Sequence, residues 1–132
     1  MMRHSVAVGL SLAICTVLCS CGQRRQVVQS PDVAELAGQF VELMAKGDFS
    51  TAVRNFDGAM KQAMSAEKLG EAWRSLTTQV GAFQRQAGVR TAKEQGYDVA
   101  YVTCEFENGS VAVKVVFDRA KQISGLWFVP PQ

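Results

Sequence analysis

From Tyr97 to Asp118 the chain reads YDVAYVTCEFENGSVAVKVVFD, two alternating runs that meet at Asn108-Gly109. Asn-Gly between alternating apolar residues signals a two-residue type I′ hairpin, because both central residues of that turn need positive φ. A loop at those residues pairs Phe106 with Val111, Cys104 with Val113, Val102 with Val115 and Ala100 with Phe117, which makes one face of the ribbon wholly apolar. The other face pairs Glu105 with Ala112, Thr103 with Lys114 and Tyr101 with Val116. A lone hairpin is marginal in water, so this one requires further strands and a layer to cover its apolar side.

The sequence supplies both. A loop at Arg119 to Gln122 leads into a last strand that sets Leu126 and Phe128 on the apolar face and Trp127 beside Tyr101, Val116 and the Lys114 stem. A strand around Ala82 to Lys93, irregular at Gly88, completes a four-stranded antiparallel sheet, and Pro130-Pro131 ends it. Upstream the apolar period changes from two to 3.6. Ser30 as N-cap, Pro31 at the first helical position and Asp32 start a helix with the stripe Val33, Leu36, Ala37, Phe40, Val41, Met44, closed by Gly47. Asp48 caps a second, short helix through Phe49, Ala52, Val53 and Phe56, broken at Asp57-Gly58. Ala59 to Met64 is ambiguous, and Ser65 caps a third helix with the stripe Leu69, Ala72, Trp73, Leu76 and Val80. The expected architecture is α+β, with three N-terminal helices packed on one face of a curved four-stranded antiparallel sheet, in a single domain over residues 31–132.

The first thirty residues have a different character. A short basic start with Arg3 and His4 precedes an apolar run from Val6 to Leu18. As a helix at about 1.5 Å per residue, that run falls short of the roughly 30 Å hydrocarbon core, so it reads as an export signal over residues 1–20 rather than a membrane span. Leu18-Cys19-Ser20-Cys21 then resembles the lipobox of bacterial lipoproteins, with Leu18 too bulky for the small-residue slot before Cys19. The resemblance implies cleavage before Cys21, acylation of that cysteine with palmitate-like chains, and a lipidated tether over residues 21–30. Two or three chains hold a protein firmly at a membrane where one does not. The expected location is extracytoplasmic, on the periplasmic side of the outer membrane where the cell has two membranes, since Gly22 is not the Asp that retains lipoproteins at an inner one.

Cleavage there excludes several chemistries. The single histidine is His4, so the mature chain has no Ser-His-Asp or Cys-His catalysis and no usual zinc set, and no metal or cofactor is expected. Cys104 would be the one cysteine left beside the acylated Cys21, which leaves no internal disulfide. Lys and Arg number 14 against 12 Asp and Glu, and Arg3 leaves with the leader, so the charge balance offers no field for nucleic acid.

The stretches AKGDFSTAVRNFDGAMKQAMSAEKLGEAW and VAVKVVFDRAKQISGLWFVPP are similar to an uncharacterised bacterial family, the domain of unknown function numbered 3887, within the nuclear-transport-factor-2-like (cystatin-like) superfamily. The resemblance implies a cone-shaped fold with a cavity between helices and sheet. It also implies an accessory or substrate-presenting role, because family members often precede an α/β-hydrolase domain. This sequence departs from that arrangement in having no G-x-S-x-G elbow and no histidine after His4.

Three sets of residues are candidates for function. A small-molecule pocket would have Cys104, Val113, Phe117, Ser124 and Leu126 as its floor and Trp73, Met60 and Met64 on the helical side; the alternative is that these residues fill the core. Asp98 and Tyr101 are the candidate acid–base residues of an isomerase or dehydratase, although they alternate onto opposite faces of their strand. Tyr101, Val116 and Trp127, with Val99, form a half-apolar patch for a homodimer or an envelope protein partner. The leading expectation is a non-catalytic envelope lipoprotein that binds a partner protein or a small apolar ligand. The alternatives are the small enzyme and a structural subunit of an envelope assembly.

Overall fold

A computed structural model of the protein describes residues 32–131; the leader, Cys21 and the Ser30-Pro31 cap lie outside them. Helix α1 is Val33–Lys46, and within the described residues its N-cap is Asp32, not Ser30. The Asp32 backbone is extended and its carboxylate accepts the Ala34 N–H, so the cap also places negative charge at the positive end of the helix. Gly47 ends α1 at φ 78°, in the left-handed region that favours glycine. Val33, Ala37, Phe40, Val41 and Met44 are buried, the face that the 3.6 period selects.

Asp48 caps α2, Phe49–Ala52, as expected, but this helix does not continue through Phe56. It tightens into a 3₁₀ turn, Val53–Asn55, and Phe56 then turns extended and pairs in parallel with Ile123 of the last strand. Phe56 is fully buried, its ring centroid 5.8 Å from that of Phe40. Leaving the helix gives this ring a place between α1 and the sheet that another helical turn would deny it. Asp57 ends nothing: its N–H donates to the Ile123 carbonyl at 2.9 Å, and its carboxylate accepts the Met60 N–H at 2.8 Å as the cap of α3, Gly58–Ala63. With α4, Ala66–Val80, capped by Ser65, the described residues therefore hold four α-helices and one 3₁₀ turn rather than three helices.

The strands are β1, Phe83–Glu94; β2, Tyr97–Phe106; β3, Gly109–Phe117; and β4, Ile123–Val129, in an antiparallel sheet of order β1-β2-β3-β4. The β2–β3 register differs by two residues from the one an Asn108-Gly109 loop imposes. Cys104 faces Val111, Val102 faces Val113, Ala100 faces Val115 and Phe106 faces Gly109, so the turn residues are Glu107 and Asn108. The cause is tertiary: the Glu107 N–H donates to the Ala82 carbonyl at 3.0 Å and the Asn108 N–H to the Val80 carbonyl at 2.8 Å, which braces the turn against the end of α4. A slip of two leaves every side chain on its expected face. The turn with positive φ at both central residues lies instead at Gln95-Gly96, φ 52° and 81°, between β1 and β2. The register of β1 slips near Gly88, where irregularity was expected, and again between Phe83 and Arg85.

The helices cover one face of the sheet. Phe40, Phe56, Leu69 and Trp73 meet Val102, Cys104, Val113 and Phe117 in one buried cluster, each large apolar side chain contributing about 1.5–3 kcal/mol. Trp73 packs its ring 5.9 Å from Phe83, 5.7 Å from Phe106 and 6.3 Å from Phe128, tying α4 to three strands.

Candidate functional site

The opposite face of the sheet has no helix over it among the described residues. The registers set Arg90, Tyr101, Lys114 and Trp127 directly opposite one another on β1, β2, β3 and β4, a row that alternates cation and aromatic ring. Arg90 lies 4.4 Å from the Tyr101 ring centroid, while the Lys114 ammonium is 5.6 Å from Tyr101 and 5.5 Å from Trp127. Glu94, at the end of β1, closes the group. Its carboxylate accepts the Tyr101 hydroxyl at 2.5 Å and the Lys114 ammonium at 3.1 Å. The Tyr101 hydrogen bond, and then Lys114, hold the Glu94 carboxyl below its ordinary range, and the hydrogen bond to Glu94 in turn holds Lys114 above its own. At neutral pH this row carries a matched ion pair.

Beside it Ala92, Val99, Val116 and Gly125 form the next row of small or apolar residues. Tyr97 and Trp127 stand on opposite sides of that row, 48% and 52% exposed, while Val99 beneath them is buried. Together they bound an open groove of about 710 Å³. Glu94, Gln95, Lys114, Ser124 and Asp57 complete its lining. A Cβ on Gly125 would come within 2.5 Å of the Trp127 ring, so glycine is what lets the indole reach back along β4.

The expected interface residues Tyr101, Val116 and Trp127 are thus together on this face. Arg90 and Glu94 were missed, because only the β1 register shows that they join them. Ser124, expected on the pocket floor, is the extra residue where β3 and β4 slip past each other, and it lines the outer groove instead. On the helical side, Trp73, Cys104, Val113 and Phe117 are buried in the core cluster, with Met60, Met64 and Leu126 packed against it. Burial pushes the Cys104 thiol up to about 12, so the thiolate a nucleophile needs is not its form at neutral pH.

Asp98 and Tyr101 lie on opposite faces. Asp98 sits at the end of β2, held between Lys121 at 2.8 Å and Lys93 at 3.0 Å, and its hydrogen bonds to Lys121, then Lys93, lower its carboxyl from the ordinary 3.8. A carboxylate stabilised in this way contributes stability above the unfolded-state value and loses it as pH falls through the lower folded-state value. The gap between the urea midpoints of wild type and Asp98→Asn should therefore hold above pH 3.8 and close below it. A gap that persists undiminished into acid would rule this account out.

No group of three or more His, Cys, Asp or Glu among the described residues is placed to hold a metal, and no helix among them is long and apolar enough to cross a membrane. Fold and site define a two-layer α+β domain that buries one face of its sheet under helices and leaves the other open as a polar and aromatic groove. The chain belongs to the family described as a protein of unknown function, DUF3887, which matches residues 37–126. It is similar to Esterase EstD of Thermotoga maritima, 27% identical over 89 residues, an alignment covering 67% of this chain and 22% of the esterase. The chain thus aligns with less than a quarter of that curated relative's length. No solved structure matches the chain.

Proposed function

We propose that the protein is a non-catalytic, extracytoplasmic binding and accessory module, anchored to a bacterial membrane through lipidated Cys21, that engages its partner through the open sheet face. The observation that carries this reading is the groove between the exposed Trp127 and Tyr97, which sets aromatic surface and polar groups toward solvent on a face with no helical cover. The likeness to one segment of an esterase supports an accessory role beside a hydrolase. The order of helices before an antiparallel meander supports membership of the nuclear-transport-factor-2-like superfamily. With Asp98 ion-paired on the face opposite Tyr101, an isomerase or dehydratase would lack its acid–base pair.

Two measurements on membrane-extracted protein test the reading. The intact mass should fit an acylated chain that begins at Cys21, and the acylation should vanish in Cys21→Ala. A photoreactive side chain at position 127 should give discrete cross-links in living cells, and one at Glu67, on the exposed surface of α4, should not. A chain that retains residues 1–20, or equal cross-linking at both positions, overturns it.

A further inference from the structure

Within that binding-face reading, the geometry points to a ligand class for the groove: a neutral, polyhydroxylated molecule, a saccharide of at least two rings. The charged groups that line the groove are already committed to partners inside the protein. Both oxygens of Glu94 are taken, by Tyr101 and by Lys114. Asp57 caps α3 through the Met60 N–H. The Lys114 ammonium lies between the Tyr101 and Trp127 rings, where a cationic ligand would otherwise sit.

The uncommitted hydrogen-bond donors are neutral. The Tyr97 hydroxyl, the Gln95 amide and the Trp127 indole N–H make no hydrogen bond with any described residue, and all three residues line the groove. An anion would find its one cation neutralised, and a wholly apolar molecule would leave these polar groups without partners. A sugar ring fits both surfaces, since it has an apolar C–H face to lie on an exposed aromatic ring and a rim of hydroxyls to meet neutral donors and acceptors. The groove volume of about 710 Å³ lies within the roughly 300–1,000 Å³ of small-ligand sites, and its open form admits a chain that continues beyond either end.

The test uses the full lipidated chain in a polyoxyethylene detergent, which has no sugar headgroup, titrated with cellotetraose, chitotetraose and maltotetraose. Trp127 is exposed and Trp73 is buried, so the fluorescence change reports the groove. We expect a saturable change with one of the three at about millimolar concentration or below. It should be unaltered at about 0.5 M salt, because no ion pair forms on binding. The response should vanish in Trp127→Ala, and Tyr97→Ala should weaken binding by about tenfold, with both variants keeping the wild-type far-ultraviolet circular dichroism. Absence of a saturable response to all three sugars overturns the inference, as does a response that salt abolishes. If position-specific cross-linking at 127 survives that failure, the binding face stands and the saccharide falls; if cross-linking fails too, both fall.

Discussion

Trp73→Ala should destabilise the domain by about 3–5 kcal/mol, the cost of emptying an aromatic site in a core that cannot collapse around it. Trp73 is 6% exposed and sits among Phe83, Phe106 and Phe128, one ring each from β1, β2 and β4. Its removal takes away ring contacts between α4 and three strands at once. In a domain of this size each kcal/mol shifts the melting temperature by roughly 4–8 °C, so the transition should fall by more than about 12 °C. Trp73→Phe, which keeps an aromatic ring there, should recover most of the loss. Thermal melts followed by far-ultraviolet circular dichroism decide it, and a loss under about 1 kcal/mol would mean that the ring cluster holds α4 far less firmly than its geometry implies.

Gly81→Ala should have the next largest effect. Gly81 adopts φ 84°, ψ −174°, a region essentially reserved for glycine. A Cβ there would lie 2.7 Å from the Glu107 Cβ and 3.1 Å from the Asn108 side-chain nitrogen. Glu107 and Asn108 are the turn residues whose N–H groups donate to Ala82 and Val80, so relieving the clash pulls on the brace that sets the β2–β3 register. Backbone strain alone costs about 1–3 kcal/mol, and the clash adds to it. Gly47→Ala is the control. Gly47 also has positive φ, but nothing lies within 4 Å of its Cβ position, and strain there should cost only about 1–2 kcal/mol. Urea denaturation of the two variants should show Gly81→Ala losing at least about twice as much. Equal losses would mean that the approach of Glu107 to Gly81 has no energetic weight.

What could be read from the sequence follows from how far each determinant lies from the residue it governs. The stripes of α1 and α4, their ends at Gly47 and Ser65, and the alternation of β2 and β3 are local, and all of them are seen in the fold. The hairpin register is not local, because the turn preference of Asn108-Gly109 yields to the hydrogen bonds that Glu107 and Asn108 donate to the Ala82 and Val80 carbonyls. The faces of the hairpin are unaffected, since a slip of two preserves them. For the same reason Tyr101, Val116 and Trp127 were legible as one patch. Lys114 opposite Tyr101, and Arg90 and Glu94 on β1, were not, because they depend on the two registers that the sequence alone leaves undetermined. Phe56 illustrates the same limit: its helical spacing was plain, but its burial beside Ile123 is a contact with the far end of the chain.

That last pairing bears on the order in which the chain can assemble. Phe56 and Asp57 close on Ile123, so the segment that joins α2 to α3 has no fixed place until β4 has been made. Closing a contact of this span is slow relative to helix formation, so this segment settles after the helices on either side of it have formed. Phe56 thus ties the placement of an early segment to the last strand of the sheet.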